Sequence, residues 1–96
     1  MMRSTILLAA LTITLSSVSA SAAPHDVAAY IDRRLGCNHW ADEDGYDANR
    51  RAEIKRAVAD LRCATLDQDE LALRRRYRHD PAILRQIGEA RDAYPD

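Results

Sequence analysis

The chain has 96 residues, with 14 basic and 15 acidic side chains and a formal net charge of −1. That length holds one domain with a small core. The charge balance gives no overall field that would draw in nucleic acid or an anionic membrane.

The first residues follow the three-part grammar of a secretory leader: Met1-Met2-Arg3 with one positive charge, an apolar run from Ile6 to Leu15, and a small-residue end at Ala20-Ser21-Ala22. The A-x-A pattern predicts cleavage after Ala22. A transmembrane anchor would need about 20 apolar residues, and this run offers about half that and contains Thr12 and Thr14. No cysteine directly follows the predicted cut, where Ala23 stands, which argues against a lipid anchor. The expectation is a signal peptide over 1–22 and a helical domain over 23–96, periplasmic or secreted, with no stable membrane anchor.

Residues 23–96 contain no Phe, Met or Ser, and their β-branched residues never stand side by side. Strands favour alternating or continuous β-branched and aromatic runs, so the fold class predicted is all-α, a small three- to four-helix domain. The first helix is expected from about Asp26 to Leu35, where Val27, Tyr30, Ile31 and Leu35 share a face. Gly36 is then its left-handed C-terminal stop. The polar, acidic stretch from Cys37 to Tyr46 reads as a loop, closed by Asp47 as N-cap of a second helix reaching about Ala64. Ile54, Ala57, Val58, Leu61 and Ala64 form the apolar stripe of that helix.

The third helix shows Asp67 as N-cap, Glu70 three residues on as in a capping box, and Leu66 opposite Leu71 as a hydrophobic staple. Its acidic first turn and its basic end at Arg74, Arg75, Arg76, Arg78 and His79 suit the helix dipole, with Glu70 and Arg74 as an i, i+4 pair. Asp80-Pro81 ends it and starts a fourth helix carrying Ile83, Leu84, Ile87 and Tyr94, with Gly88 as its weak point. So short a turn makes the last two helices a hairpin.

Cys37 and Cys63 both follow the leader, and export places them where disulfides persist. They are expected to pair and to hold the first helix against the end of the second; two free thiols or an intermolecular bridge is the competing arrangement. Twelve Val, Ile and Leu residues, Trp40 and four tyrosines make a thin core. A staple is needed, and there is room for a partner to cover apolar surface.

Three groups of residues bear on chemistry. His39, Asp42, Glu43 and Asp44 could bind a cation, and Asp42-x-Asp44-Gly45 resembles part of a calcium loop. Extended, the match fails, because Trp40 and Arg51 then fall where oxygen ligands belong; the competing reading is an acidic approach to the second helix, with Trp40 packed over the disulfide and Asn38 or His39 bonding loop backbone. Arg74, Arg75 and Arg78 could clamp an anion or meet an acidic protein, against the alternative of a dipole-matched helix end. Together with Trp40 they are the predicted interaction residues. Nucleophilic catalysis is poorly supplied: there is no serine after the leader, one threonine, and cysteines expected in a disulfide. A small hydrolase would need His39 brought to a carboxylate in a cleft. No cofactor pattern is present.

At Gly36-Cys37-Asn38-His39-Trp40, Tyr46-Asp47, Arg51-x-Glu53-Ile54 and Leu61-Arg62-Cys63 the chain resembles a group of small secreted proteobacterial proteins of unknown function. That resemblance implies export and a disulfide framework and carries no activity. Cys63, Leu66, Asp67, Leu73 and Tyr77 are fainter in their similarity to periplasmic lysozyme-inhibitor-like helical domains, from which the chain departs in spacing and in having only two cysteines. The functional expectation is a non-enzymatic interaction protein that binds an envelope protein or a wall-active enzyme. A weak cation-binding module and a small hydrolase are the alternatives.

Overall fold

A computed structural model describes Thr5, residues 8–13 and residues 23–93. The leader expectation falls largely on residues outside that range, as does Tyr94. Among the described residues no helix is long and apolar enough to cross a membrane. The elements are α1 (His25–Ala41), α2 (Ala48–Asp60), a 3-10 turn (Cys63–Thr65), α3 (Leu66–Arg76) and α4 (Pro81–Asp92), with no strand among the described residues. The all-α class and the disulfide between Cys37 and Cys63 stand as expected.

Helix α1 is the central column and packs against every other element. Val27, Tyr30 and Cys37 from α1, Leu66 from α3, and Ile83 and Ile87 from α4 form the buried cluster. Full burial of such aliphatic side chains stabilises the fold by about 1.5–3 kcal/mol each. Helix α2 contributes no fully buried residue. Only Leu61, just past its end, joins the cluster's edge together with Cys63.

Two expected boundaries are corrected. First, α1 does not stop at Gly36: it continues through the segment expected as a loop, Cys37 to Tyr46, as far as Ala41. Gly36 is there for close approach. A Cβ on it would lie 2.8 Å from Leu61 Cδ1, so glycine lets the end of α2 press onto α1, and among the described residues no glycine has positive φ. Second, α2 ends at Asp60 rather than Ala64, and the left-handed residue is Arg62, at φ 53°.

A left-handed non-glycine residue costs about 1–2 kcal/mol, and Arg33 offsets it. Its guanidinium donates from Nε to the Leu61 carbonyl (3.0 Å), from Nη2 to the Arg62 carbonyl (3.1 Å) and from Nη1 to Asp69 Oδ2 (2.9 Å). One side chain of α1 thereby takes up carbonyls freed at the end of α2 and ties them to α3.

The expected start of α3 is also revised. The helix begins at Leu66 with Thr65 at its N-cap, not after Asp67. The 3-10 turn already supplies carbonyls to the first N–H groups: Leu66 donates to Cys63, and Thr65 donates to Arg62. No side chain caps this start, and Glu70 turns inward instead and is 2 % exposed. Leu66 is 1 % exposed and Leu71 is 56 % exposed, so the pair forms no staple. The Asp47 cap holds as expected, and Asp80 also caps α4. Asp47 Oδ1 accepts from Arg50 N at 2.7 Å, and Asp80 Oδ1 accepts from Ile83 N at 3.2 Å with Pro81 in the first turn.

The disulfide joins the body of α1 to the 3-10 turn, at a sequence separation of 26. Closing a loop of that size is worth about 3.5 kcal/mol in the chain-entropy model. Reduction is therefore expected to lower the unfolding free energy by about 3 kcal/mol, measured as denaturant midpoints with and without reductant; equal midpoints would contradict it. The two helical glycines should also part company. Gly88 has only Arg74 Nη2 near its would-be Cβ, at 3.7 Å, so Gly88→Ala should gain about 0.5–1 kcal/mol from helix propensity. Gly36→Ala should not, because Leu61 must move, and equal gains in thermal melts would refute this account of Gly36.

Candidate functional site

Glu70 is the charged group closest to the heart of the fold. Its Oε1 accepts from Tyr30 Oη at 2.7 Å and from Arg34 Nη2 at 3.3 Å; its Oε2 accepts from Arg74 Nε at 3.1 Å and from Arg91 Nη1 at 3.0 Å. Arg34 also donates from Nε to Tyr30 Oη (2.9 Å) and from Nη2 to Asp67 Oδ1 (2.8 Å). Burial pushes the Glu70 carboxyl up, but the Tyr30 hydroxyl and the Arg74 and Arg91 guanidinium groups outweigh it and hold it below its ordinary value. Burial, then the bond to Glu70, pushes the Tyr30 hydroxyl up. A carboxylate that is held ionised and enclosed by four donors is a poor proton carrier, so this cluster joins helices rather than performing acid–base chemistry.

A second link closes the other end of α1. Tyr77 Oη donates to Asp26 Oδ1 at 2.8 Å, and Arg76 Nη1 lies 3.2 Å from Asp26 Oδ2. The Tyr77 bond, joined by the Val27 N–H and Arg76, lowers the Asp26 carboxyl against the opposing effect of burial. At the far end of α1, Asn38 Nδ2 donates to the Ala90 and Ala93 carbonyls at 3.0 and 3.1 Å, capping the C-terminal end of α4.

The residues expected to bind a cation are only partly gathered. His39 Nε2 lies 3.3 Å from Glu43 Oε1, but Glu43 Oε2 accepts from Arg50 Nη2 at 2.7 Å. Asp42 is the C-cap of α1 and Asp44 is exposed. Among the described residues, no three His, Cys, Asp or Glu side chains converge in a way that could hold a metal ion. The segment instead builds a corner. The Arg50 guanidinium sits 5.2 Å from the Trp40 ring centroid, the His39 ring meets Trp40 edge-on at 5.3 Å, and Arg50 Nη1 reaches Glu53 at 3.0 Å. The cation–π contact and the shared Glu43 fix the start of α2 to the end of α1. His39 and Glu43 therefore meet on an exposed helix end.

The predicted interaction residues do not share one surface. Arg74 turns inward to Glu70, Arg76 turns to Asp26, and Arg75 and Arg78 remain exposed, with Arg78 Nε donating to His79 Nε2 at 3.1 Å. Trp40 lies fourteen residues along α1 from Asp26, about 21 Å at 1.5 Å per residue. It is far from the arginine-rich end of α3 that Tyr77 ties to Asp26.

One concave surface was not foreseen. Between α1 and α4 runs an open groove of about 280 Å³, lined by Ile31, Leu35, Gln86, Glu89, Ala90 and Ala93. Ile31 and Leu35 carry a sequence signal, since both lie on the expected apolar face of α1. Their α4 neighbours carry none, because alanine, glutamine and glutamate at those positions read as an ordinary wet face. Comparison with protein-family models, curated proteins and solved structures finds no match to this chain.

Asp26, Asp67 and Glu70 all lie below their ordinary values in the fold. Stability from a lowered carboxyl is fully present above its unfolded value and is lost as pH falls through the folded one. Unfolding midpoints should therefore be flat near neutrality and fall once pH drops below the ordinary 4.5 of Glu and 3.8 of Asp. Glu70→Gln should cost about 2–3 kcal/mol at pH 7 and flatten that acid limb, and an unchanged limb would remove Glu70 from the account.

Proposed function

We propose that the protein is a non-enzymatic binding module of the periplasm or of the secreted fraction, a disulfide-stapled helical scaffold that docks onto an envelope protein or a wall-active enzyme. The observation that carries this reading is the open apolar groove between α1 and α4, left uncovered in a domain with little apolar surface to spare. Apolar concavities of this kind are where partners bind. Helix α2 adds to it, since Ile54, Ala57 and Val58 are only half covered.

The chemistry of the rest points the same way. His39 and Glu43 meet on an exposed helix end, the four-donor cage around Glu70 leaves no lone pair for a substrate, and the cysteines are paired. Hydrolysis needs a nucleophile, a base and an oriented substrate in one concavity. The leader pattern and the disulfide together favour an oxidising compartment.

The test uses the oxidised protein, tagged and mildly crosslinked in a periplasmic extract. An identified envelope or wall-active protein should be recovered in near-stoichiometric amount and displaced by excess untagged protein. A chain that stays monomeric and recovers no such partner overturns the reading.

A further inference from the structure

The α1–α4 groove restricts what can occupy it. At about 280 Å³ it lies open to solvent, whereas sites for small ligands bury most of the ligand's surface. Peptide strands dock by adding to a sheet edge, and the described residues contain no strand. Proline-rich segments dock on aromatic-lined grooves, and no aromatic side chain lines this one. A helix remains. Ile31 and Leu35, four residues apart on α1, present an aliphatic ridge, while Ala90 and Ala93, three apart on α4, keep that wall low. Small residues at a helix contact allow a second helix to come close.

The charge of the groove selects the occupant further. Glu89 lines it, and no cation does. Asp32 follows Ile31 and Asp92 precedes Ala93. Both are exposed, and Asp32, Glu89 and Asp92 all lack an ion pair among the described residues. Arg85, next to Gln86 and one helical turn before Glu89, is an exposed cation on the same flank and also has no ion pair among the described residues. Arg91 is drawn away to Glu70. One unpaired carboxylate lines the groove and two flank it against a single flanking arginine, a net negative balance that disfavours anionic lipid and nucleic acid and favours a basic protein segment.

We infer that the groove between α1 and α4 docks an amphipathic helix of a partner protein, its aliphatic side chains at i, i+4 spacing seated between Ile31, Leu35, Ala90 and Ala93, and a lysine or arginine beside them facing Glu89. The inference rests on the reading of the chain as a binding module and assigns that reading a site and a partner chemistry.

The probe is a synthetic helical peptide with leucines at i, i+4 spacing flanked by lysines, together with a twin in which glutamate replaces each lysine. Amide shifts of the oxidised protein, labelled with nitrogen-15 and produced from the full chain, report where each peptide docks. The lysine peptide should move Ile31, Leu35, Gln86 and Glu89 and bind at least about threefold more tightly than its twin, the scale of a few exposed charge pairs. Glu89→Lys, at an exposed position, should narrow or reverse that preference. Gln86→Trp should fill the groove and abolish docking while the melting temperature is retained.

Shifts centred elsewhere, equal binding of the two peptides, or binding untouched by both variants overturns the inference. So does movement of the same amides on concentrating the protein alone, which would make a second copy the occupant. If an envelope partner is captured and Gln86→Trp leaves that capture intact, the groove assignment fails while the binding-module reading stands. If the peptide docks as described and no partner is captured, the reading fails and the groove assignment stands.

Discussion

One buried carboxylate joins three of the four helices. Glu70 of α3 accepts from Tyr30 and Arg34 of α1, from Arg74 one turn along its own helix, and from Arg91 of α4. Taking a carboxylate out of water costs several kcal/mol unless its lone pairs are filled, and here each oxygen has two donors. The aliphatic contacts of Val27, Leu66, Ile83 and Ile87 are non-directional and tolerate sliding. Four donors on one carboxylate do not tolerate it. In a core this small, the polar cluster defines the register that the apolar residues alone leave loose.

Helix α2 stands outside that arrangement and is attached by different means. It buries no residue of its own, and three devices hold it. The disulfide ties the turn beyond it to α1, Arg33 takes the carbonyls of Leu61 and Arg62, and the contact of Arg50 with Trp40 and Glu43 secures its start. Each device acts at an end of the helix. Opening of the domain should therefore begin with α2, since local stability follows buried apolar contact, while α1, α3 and α4 remain joined at Glu70.

What could be read from the sequence was what is local. The Asp47 cap, Pro81 in a first turn, and the i, i+4 pair of Glu70 and Arg74 each depend on neighbouring residues and were legible, whereas α3 ends at Arg76, short of the expected Asp80. Where tertiary contact decides, local reading went astray. Gly36 carries the signal of a helix stop, yet what it serves is the approach of Leu61 across 25 residues of chain. Glu70 carries the signal of a capping box, but the helix starts earlier, at Leu66, and the side chain is taken by Tyr30, Arg34, Arg74 and Arg91. Asn38 was expected to bond nearby loop backbone and reaches α4 instead. The groove was illegible for the same reason, because its α4 wall is made of two alanines, a glutamine and a glutamate whose meaning depends on which helix lies opposite.

The two uncovered apolar surfaces differ in how firmly they are held. Helix α4 is fastened through Arg91 to the Glu70 cluster and through its C-terminal carbonyls to Asn38, while Ile83 and Ile87 pack against α1. Its angle to α1, and hence the shape of the groove, is set at separate points along its length. The half-covered edge of α2 lies on an element held at its two ends. A partner must offset the ordering of whatever it binds, so a surface on the α1–α4 pair costs less to occupy than one on α2. The same carboxylate that sets the register of the core thus also holds one wall of the proposed docking groove, through its bond to Arg91 of α4.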